Sequence, residues 1–368
     1  MSASLLLLFA AATATSTSAD TGKGLDWLAV PVLKFNNDIG VMYGVHTILK
    51  EYGDDDEFDW FLEVKLRHST KNRHEHWLYF DMPSFFGLRL FVLTEVLRID
   101  DANYFGVGNV TRLDEPGDPF NQYRLTEPRM QSFLSDDIDD TWRWGFGLTF
   151  AYTHTTYRDD SRLALERPTG FDGGHLLIAL GALVHDGRDD ELRPTSGEYL
   201  QIYAKAATRP LGSAFSFQGI GMEGSFYYSP FSDFVYAGRL MVESVGGDVP
   251  FYELARIGGG RSAFGLGGVF TQRGFAESRF IGKHKALTNQ ELRYYFPAIL
   301  DLLSFGIGGF VDVSLVADDT PVRDWIDRLR PSAGFEISAR WKDLIVVRAD
   351  MGFSNEEQVF YIEGRHLF

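Results

Sequence analysis

The sequence predicts an all-β fold: a sixteen-stranded antiparallel transmembrane β-barrel with a long extracellular loop folded inward. Three observations predict it. Hydrophobicity alternates with period 2 along most of the chain, and helical i, i+3, i+4 stripes are scarce. The 368 residues include 31 Phe, 16 Tyr and 7 Trp, which the outer band and aromatic girdles of a barrel accept while its lumen takes the charges. Beyond residue 19 the chain has no run of the roughly 18 apolar residues that a membrane-spanning helix needs.

The chain opens with an apolar run, Leu5 to Ala12, followed by a Ser/Thr/Ala stretch with Thr17 and Ala19 before Asp20. This reads as a signal peptide, residues 1–19, although Met1–Ser4 carries no Lys or Arg. Export to the bacterial outer membrane follows. No Pro/Ser-rich linker or composition shift divides 20–368, so the remainder reads as one barrel domain. The absence of Cys excludes disulfide scaffolds and cysteine-ligated metals, and the net charge of −16 argues against a nucleic-acid partner because nothing would neutralise phosphates.

Alternating segments bounded by turns place strands near 26–35, 39–50, 58–69, 74–85, 88–99, 122–135, 142–157 and 174–186. The series continues near 197–208, 215–229, 234–246, 287–296, 304–316, 332–341, 343–353 and 358–368. Near the end the alternation is plain. Ile345, Val347, Ala349, Met351 and Phe353 oppose Arg348 and Asp350, while Phe360, Ile362, Gly364 and Phe368 oppose Tyr361, Glu363 and Arg365. If the first strand starts on the periplasmic side, connections such as 86–87, 136–141, 187–196 and 342 become periplasmic turns. The longer 100–121, 158–173, 247–286 and 317–331 then become extracellular loops, as barrels prefer.

The longest loop, 247–286, holds Gly258-Gly259-Gly260, Gly265, Gly267 and Gly268, then Gln272-Arg273-Gly274-Phe275. No GxxxxGK[ST] phosphate loop occurs in it. Alternation along 304–316 turns Phe310 and Asp312 into the lumen, so an inward-folded Arg273 would meet Asp312 in a charge-assisted pair.

These residues resemble the barrel-assembly superfamily of outer-membrane proteins, which includes BamA, TamA and the two-partner secretion transporters. Gln272-Arg273-Gly274-Phe275 is similar to the family's VRGF/Y loop motif, with Gln272 departing from an aliphatic position. Phe310-Val311-Asp312 resembles the F-x-D strand motif that this loop contacts, with Ser314 where Gly is common. Asn289-Gln290-Glu291-Leu292-Arg293 resembles the strand after the loop, with its odd positions, Glu291 among them, facing the lumen. Asp186-Gly187-Arg188-Asp189 with Pro194-Thr195-Ser196-Gly197 resembles the family's D-x-R-D…P-T-x-G turn.

The resemblance implies a barrel without cofactor or metal that helps insert or translocate polypeptides, or lipid, at the outer membrane. Its partners would be outer-membrane lipid, client chains and a separate periplasmic chain, since the few residues between Asp20 and the first strand leave no room for the POTRA modules of BamA and TamA. It also implies a seam between first and last strands that opens toward lipid, where Pro31 removes a ladder donor, Gly364 removes a packing side chain and Phe368 ends the chain. The alternative from another class is a passive channel or structural barrel. No G-x-S-x-G or HExxH motif supports a hydrolase. His68, His74 and His76 near one rim, and the acidic runs Asp54–Asp56 and Asp139-Asp140, read as solvated surface rather than as metal or acid/base sites.

Overall fold

The computed structural model describes residues 24–364 apart from 53–57, 109–110, 112–117, 192, 232, 260–264, 300–301, 319–321 and 342–344. The leader 1–19, the run Asp54–Asp56, Gly260, the turn at 342 and Phe368 lie outside the described residues.

Sixteen strands form: β1 (Gly24–Asn36), β2 (Gly40–Tyr52), β3 (Phe58–Ser69), β4 (Arg73–Phe85), β5 (Leu88–Asn103), β6 (Gln122–Asp137), β7 (Trp142–Tyr157) and β8 (Gly173–Asp186). The second half comprises β9 (Gly197–Ala207), β10 (Phe217–Phe231), β11 (Phe234–Gly247), β12 (His284–Tyr295), β13 (Leu303–Val316), β14 (Arg330–Trp341), β15 (Ile345–Phe353) and β16 (Gln358–Glu363). Each pairs antiparallel with its sequence neighbours, and β1 meets β16 to close the barrel. A closed ring leaves no strand without a neighbour on either side, which a sheet crossing hydrocarbon requires.

Alternation decides which face each residue takes. Along β12 and β13, Asn289, Glu291, Arg293 and Asp312 are buried inward, whereas Leu292, Ile307 and Val311 are exposed outward to lipid. An Arg or Lys facing lipid at the bilayer midplane costs about 2–4 kcal/mol. A one-residue slip would turn a whole inward row toward lipid, so the charges fix the register.

Two boundaries correct the reading of the sequence. β12 begins at His284 because it pairs with Ser244 of β11, and Ser244 Oγ lies 2.8 Å from His284 Nδ1; the long loop is therefore 248–283. β16 ends at Glu363, and Gly364 stands in an exposed bend after it rather than inside a strand. Its last register partner on β15 is Arg348, and a glycine offers no side chain to hold the next position.

The long connections gather at one end, and 248–283 turns back into the lumen. Its short helical turn Phe251–Leu254 packs Phe251, Tyr252 and Leu254 against Tyr104, Tyr123 and Phe217. Farther along, Ile257, Leu266, Phe275 and Phe280 pack with Met241, Leu287 and Val316. The loop thus brings its own apolar core, and each large side chain so buried is worth about 1.5–3 kcal/mol.

Candidate functional site

Arg273 is buried against the inner face of β12–β15 with no exposed surface. Its Nε and Nη2 donate to the two carboxylate oxygens of Asp312 at 2.9 Å each, and its backbone N–H reaches Oδ2 of the same group at 3.0 Å. Nη2 also lies 2.7 Å from Glu291, while the guanidinium carbon lies 3.4 Å from the Phe310 ring centre. The strands place these partners because residues 291 and 310 are register neighbours, as are 289 and 312. One Arg with a bidentate carboxylate, a second carboxylate and an aromatic face uses the planar fork in a way Lys would not match.

A further shell joins Asn289 and Arg293, which the β12 motif turns inward, to Arg239, Arg348 and Asp350, which no motif marked. Asn289 donates both to Asp312 at 2.8 Å and to the Thr271 carbonyl at 2.7 Å, and its Oδ1 accepts from Arg239 at 2.9 Å. Arg293 binds Glu291 at 2.8 Å through Nε, and Arg348 binds Asp350 at 2.9 Å. Buried charges inside a barrel persist when paired and hydrogen-bonded. The inward parity of β11, β12, β13 and β15 places these groups together; their mutual contacts depend on barrel curvature, which one sequence does not carry.

The two departures from the expected motifs meet each other. Ser314 Oγ donates to Gln272 Oε1 at 2.5 Å, and the Gln272 amide donates to the Arg330 carbonyl. A longer polar side chain on the loop and a hydroxyl on β13 replace an aliphatic residue facing a glycine. Gly274 follows at φ +88, and a Cβ there would stand 3.0 Å from the Phe353 backbone. Both strain and space therefore require glycine. Phe275 is fully buried against Phe280, ring centres 5.0 Å apart.

After this seat the loop crosses above the junction of β1 and β16. The Gly274 N–H donates to Tyr361 Oη of β16 at 3.1 Å. The Glu277 N–H donates to Asp38, in the β1–β2 turn, at 3.1 Å, and its carboxylate takes Arg73 of β4 through both oxygens at 2.5 and 3.0 Å. Arg279 reaches Glu356, in the β15–β16 turn, at 2.6 Å and Thr111 Oγ1 at 2.7 Å. Burial, reinforced by Glu277 and Glu357, pushes the Asp38 carboxyl up to about 7. One segment therefore holds both sides of the junction.

Beneath this strap lies the junction of β1 and β16. Among the described residues, β1 and β16 pair only at Phe35↔Ile362 and Asn36↔Tyr361, whereas β1 pairs with β2 from Gly24↔Tyr52 to Asn36↔Gly40. Lys34 adds an ion pair to Glu363 at 2.6 Å. Pro31 pairs with Val45 of β2 without a register shift and has no β16 partner among the described residues. Among the described residues, Pro31 and Gly364 thus do not face one another in a ladder.

The turn residues lie at the opposite end. Asp186 accepts from Arg188 Nε and Nη2 at 2.8 and 2.7 Å, and the Arg188 guanidinium stands 5.1 Å over the Tyr199 ring. Asp189 accepts from the Thr195 N–H at 2.9 Å, the Ser196 N–H at 3.1 Å and Thr195 Oγ1 at 2.5 Å. Burial alone would raise the Asp189 carboxyl, but these hydrogen bonds outweigh it and hold it below the usual carboxylate range. Pro194 is buried, and Gly197 (φ +96) lies so close that a Cβ would meet the Gly187 carbonyl at 2.2 Å. This turn is a self-contained structural knot, separate from the Arg273 seat. Near the long-loop end, His68 and His74 stand with ring centres 4.3 Å apart, and the described residues contain no cluster suited to a metal ion.

An Omp85 superfamily domain matches residues 83–343, more than half of the chain. The chain belongs to the Omp85 superfamily. Among solved structures it resembles BamA from Haemophilus ducreyi lacking POTRA domains 1–3, at TM-score 0.65 and 16% identity, over 93% of this chain and 70% of that one. It also resembles CdiB from Escherichia coli, at TM-score 0.63 and 11% identity, over 92% of this chain and 63% of that one. At these identities the likeness is one of fold. No curated protein sequence matches the chain. The Omp85 barrel is an outer-membrane protein, and family membership places it outside the enzymes.

Proposed function

We propose that this Omp85 barrel assists the insertion or translocation of polypeptides, or of lipid, at the outer membrane through its β1–β16 seam. The observation that supports the reading is the contrast, among the described residues, between the two register pairs of β1 with β16 and the full-length pairing of β1 with β2. Unpaired strand edge offers N–H and C=O groups to an incoming strand, so it serves as a template for pairing. The strap 274–279 would keep the loop seated over the junction, and the pairs Phe35↔Ile362 and Asn36↔Tyr361 would part for the seam to open.

The other reading, a passive channel, is disfavoured by the buried loop core and the filled Arg273 seat. The test measures how fast a reporter barrel folds into liposomes containing this protein, against liposomes with an unrelated barrel of similar size. Acceleration supports the proposal, and equal rates reject it.

A further inference from the structure

The outer wall at the long-loop end carries a basic cluster that the seam and the Arg273 seat do not use. His68 of β3, His74 and His76 of β4, Arg98 of β5 and Arg124 of β6 all take the outward parity. His68 pairs in register with His74, His74 with Arg98, and Arg98 with Thr126 beside Arg124. Tyr43 of β2 edges the His68 ring at 5.6 Å.

Charges at a membrane rim usually spread toward water. Here Asp100 gathers them, accepting from Arg98 Nε at 3.0 Å and Nη2 at 3.4 Å and lying 2.9 Å from Arg124 Nε. Two guanidinium groups are thus held side by side by one carboxylate, and both side chains are nearly half exposed. Arg98 Nη1 and the terminal nitrogens of Arg124 have no hydrogen-bond partner among the described residues. The two imidazoles of His68 and His74 turn their Nδ1 atoms toward each other at 3.3 Å, leaving each Nε2 without a partner among the described residues.

Directly along the same face toward the barrel middle stand exposed Leu66, Leu78, Val96 and Met130. His76 is in register with both Leu66 and Val96, so the cluster borders the apolar wall without a gap. Net positive, fork-shaped donors above an apolar wall complement an anionic headgroup above acyl chains. A free anion would use only the upper half of that surface.

We propose that this face binds the phosphate of a membrane-embedded lipid in the leaflet at the long-loop end, with Arg98 and Arg124 as its principal donors. The test is native mass spectrometry of the full chain released from phosphatidylcholine nanodiscs doped with phosphatidic acid. The expected result is enrichment of phosphatidic acid on the protein. Each of Arg98→Gln and Arg124→Gln should reduce it about five-fold, and the pair about thirty-fold. Arg158→Gln, an exposed loop arginine paired with Asp160, should leave it unchanged. Heat-modifiable migration checks that each variant is folded, and the single variants carry the test if the pair does not insert. Enrichment unaffected by any of these variants, or abolished by millimolar inorganic phosphate, would overturn the proposal, the second outcome marking a site for free anions only.

Discussion

Replacing Arg273 with Ala should release the 248–283 loop while leaving the barrel inserted. The side chain has no exposed surface, and it holds Asp312 through two bonds of 2.9 Å and Glu291 at 2.7 Å. Removing it leaves those carboxylates buried with Glu336 and Asp350, which already lie 3.9 and 4.0 Å from its Nη1. Breaking a buried pair of this kind costs about 3–5 kcal/mol, which shifts the loop's opening equilibrium by about two to three and a half powers of ten. Trypsin reads that equilibrium at Arg256, Arg279 and Lys283, provided the loop recloses faster than it is cut. Cleavage in liposomes should accelerate at least about a hundred-fold, with heat-modifiable migration preserved. Arg273→Lys keeps the charge, loses the fork and should fall between. An unchanged cleavage pattern in the Ala variant would refute the assignment of Arg273 as the residue that seats the loop.

The Gln272–Ser314 pair should behave as a unit. Gln272→Val or Ser314→Gly alone leaves a buried partner unsatisfied at about 1–3 kcal/mol, while both together approach neutrality; additive losses in a double-mutant cycle of urea unfolding would reject the coupling. Gly274→Ala, with φ +88 and 3.0 Å to the Phe353 backbone, should lower the temperature of the heat-modifiable transition, and an unaltered transition would remove the steric argument. Asp38, raised to about 7 from 3.8 by burial and by Glu277 and Glu357, with Arg73 and the Glu277 N–H opposing, stabilises the strap below the lower value and loses that contribution as pH rises through the higher one. Hydrogen exchange at the Glu277 amide should therefore rise above its ordinary pH dependence across that window, and Asp38→Asn should abolish the excess; an equal excess in the variant would exclude Asp38.

The strand pattern was readable because a barrel in lipid leaves no freedom of face: every outward charge is costly, so period-2 alternation survives along the whole chain. Arg273 and Asp312 were readable as partners because loop motif and strand parity converge on one lumen position. The strap was not. Asp38, Glu277, Arg279 and Glu356 are ordinary charged residues in turns and loops, and only the closed ring brings residues 38 and 277 within one hydrogen bond. The last strand, read as 358–368, is seen among the described residues from Gln358 to Glu363, where its pairing with β15 reaches Arg348 and Gly364 then bends away. Gln272 and Ser314 each departed from the expected motif, and the reason became visible only when they were found bonded to one another.

The seam's role is tested most directly by locking it. The chain has no native Cys, so Phe35→Cys with Ile362→Cys, a register pair across β1 and β16, introduces the only thiols. The folding rate of a reporter barrel into liposomes containing this variant is then compared under oxidising and reducing conditions. The account predicts acceleration over an unrelated barrel when the pair is reduced, lost on oxidation and restored by reductant. Acceleration that persists with the seam closed, or none in either state, would contradict it.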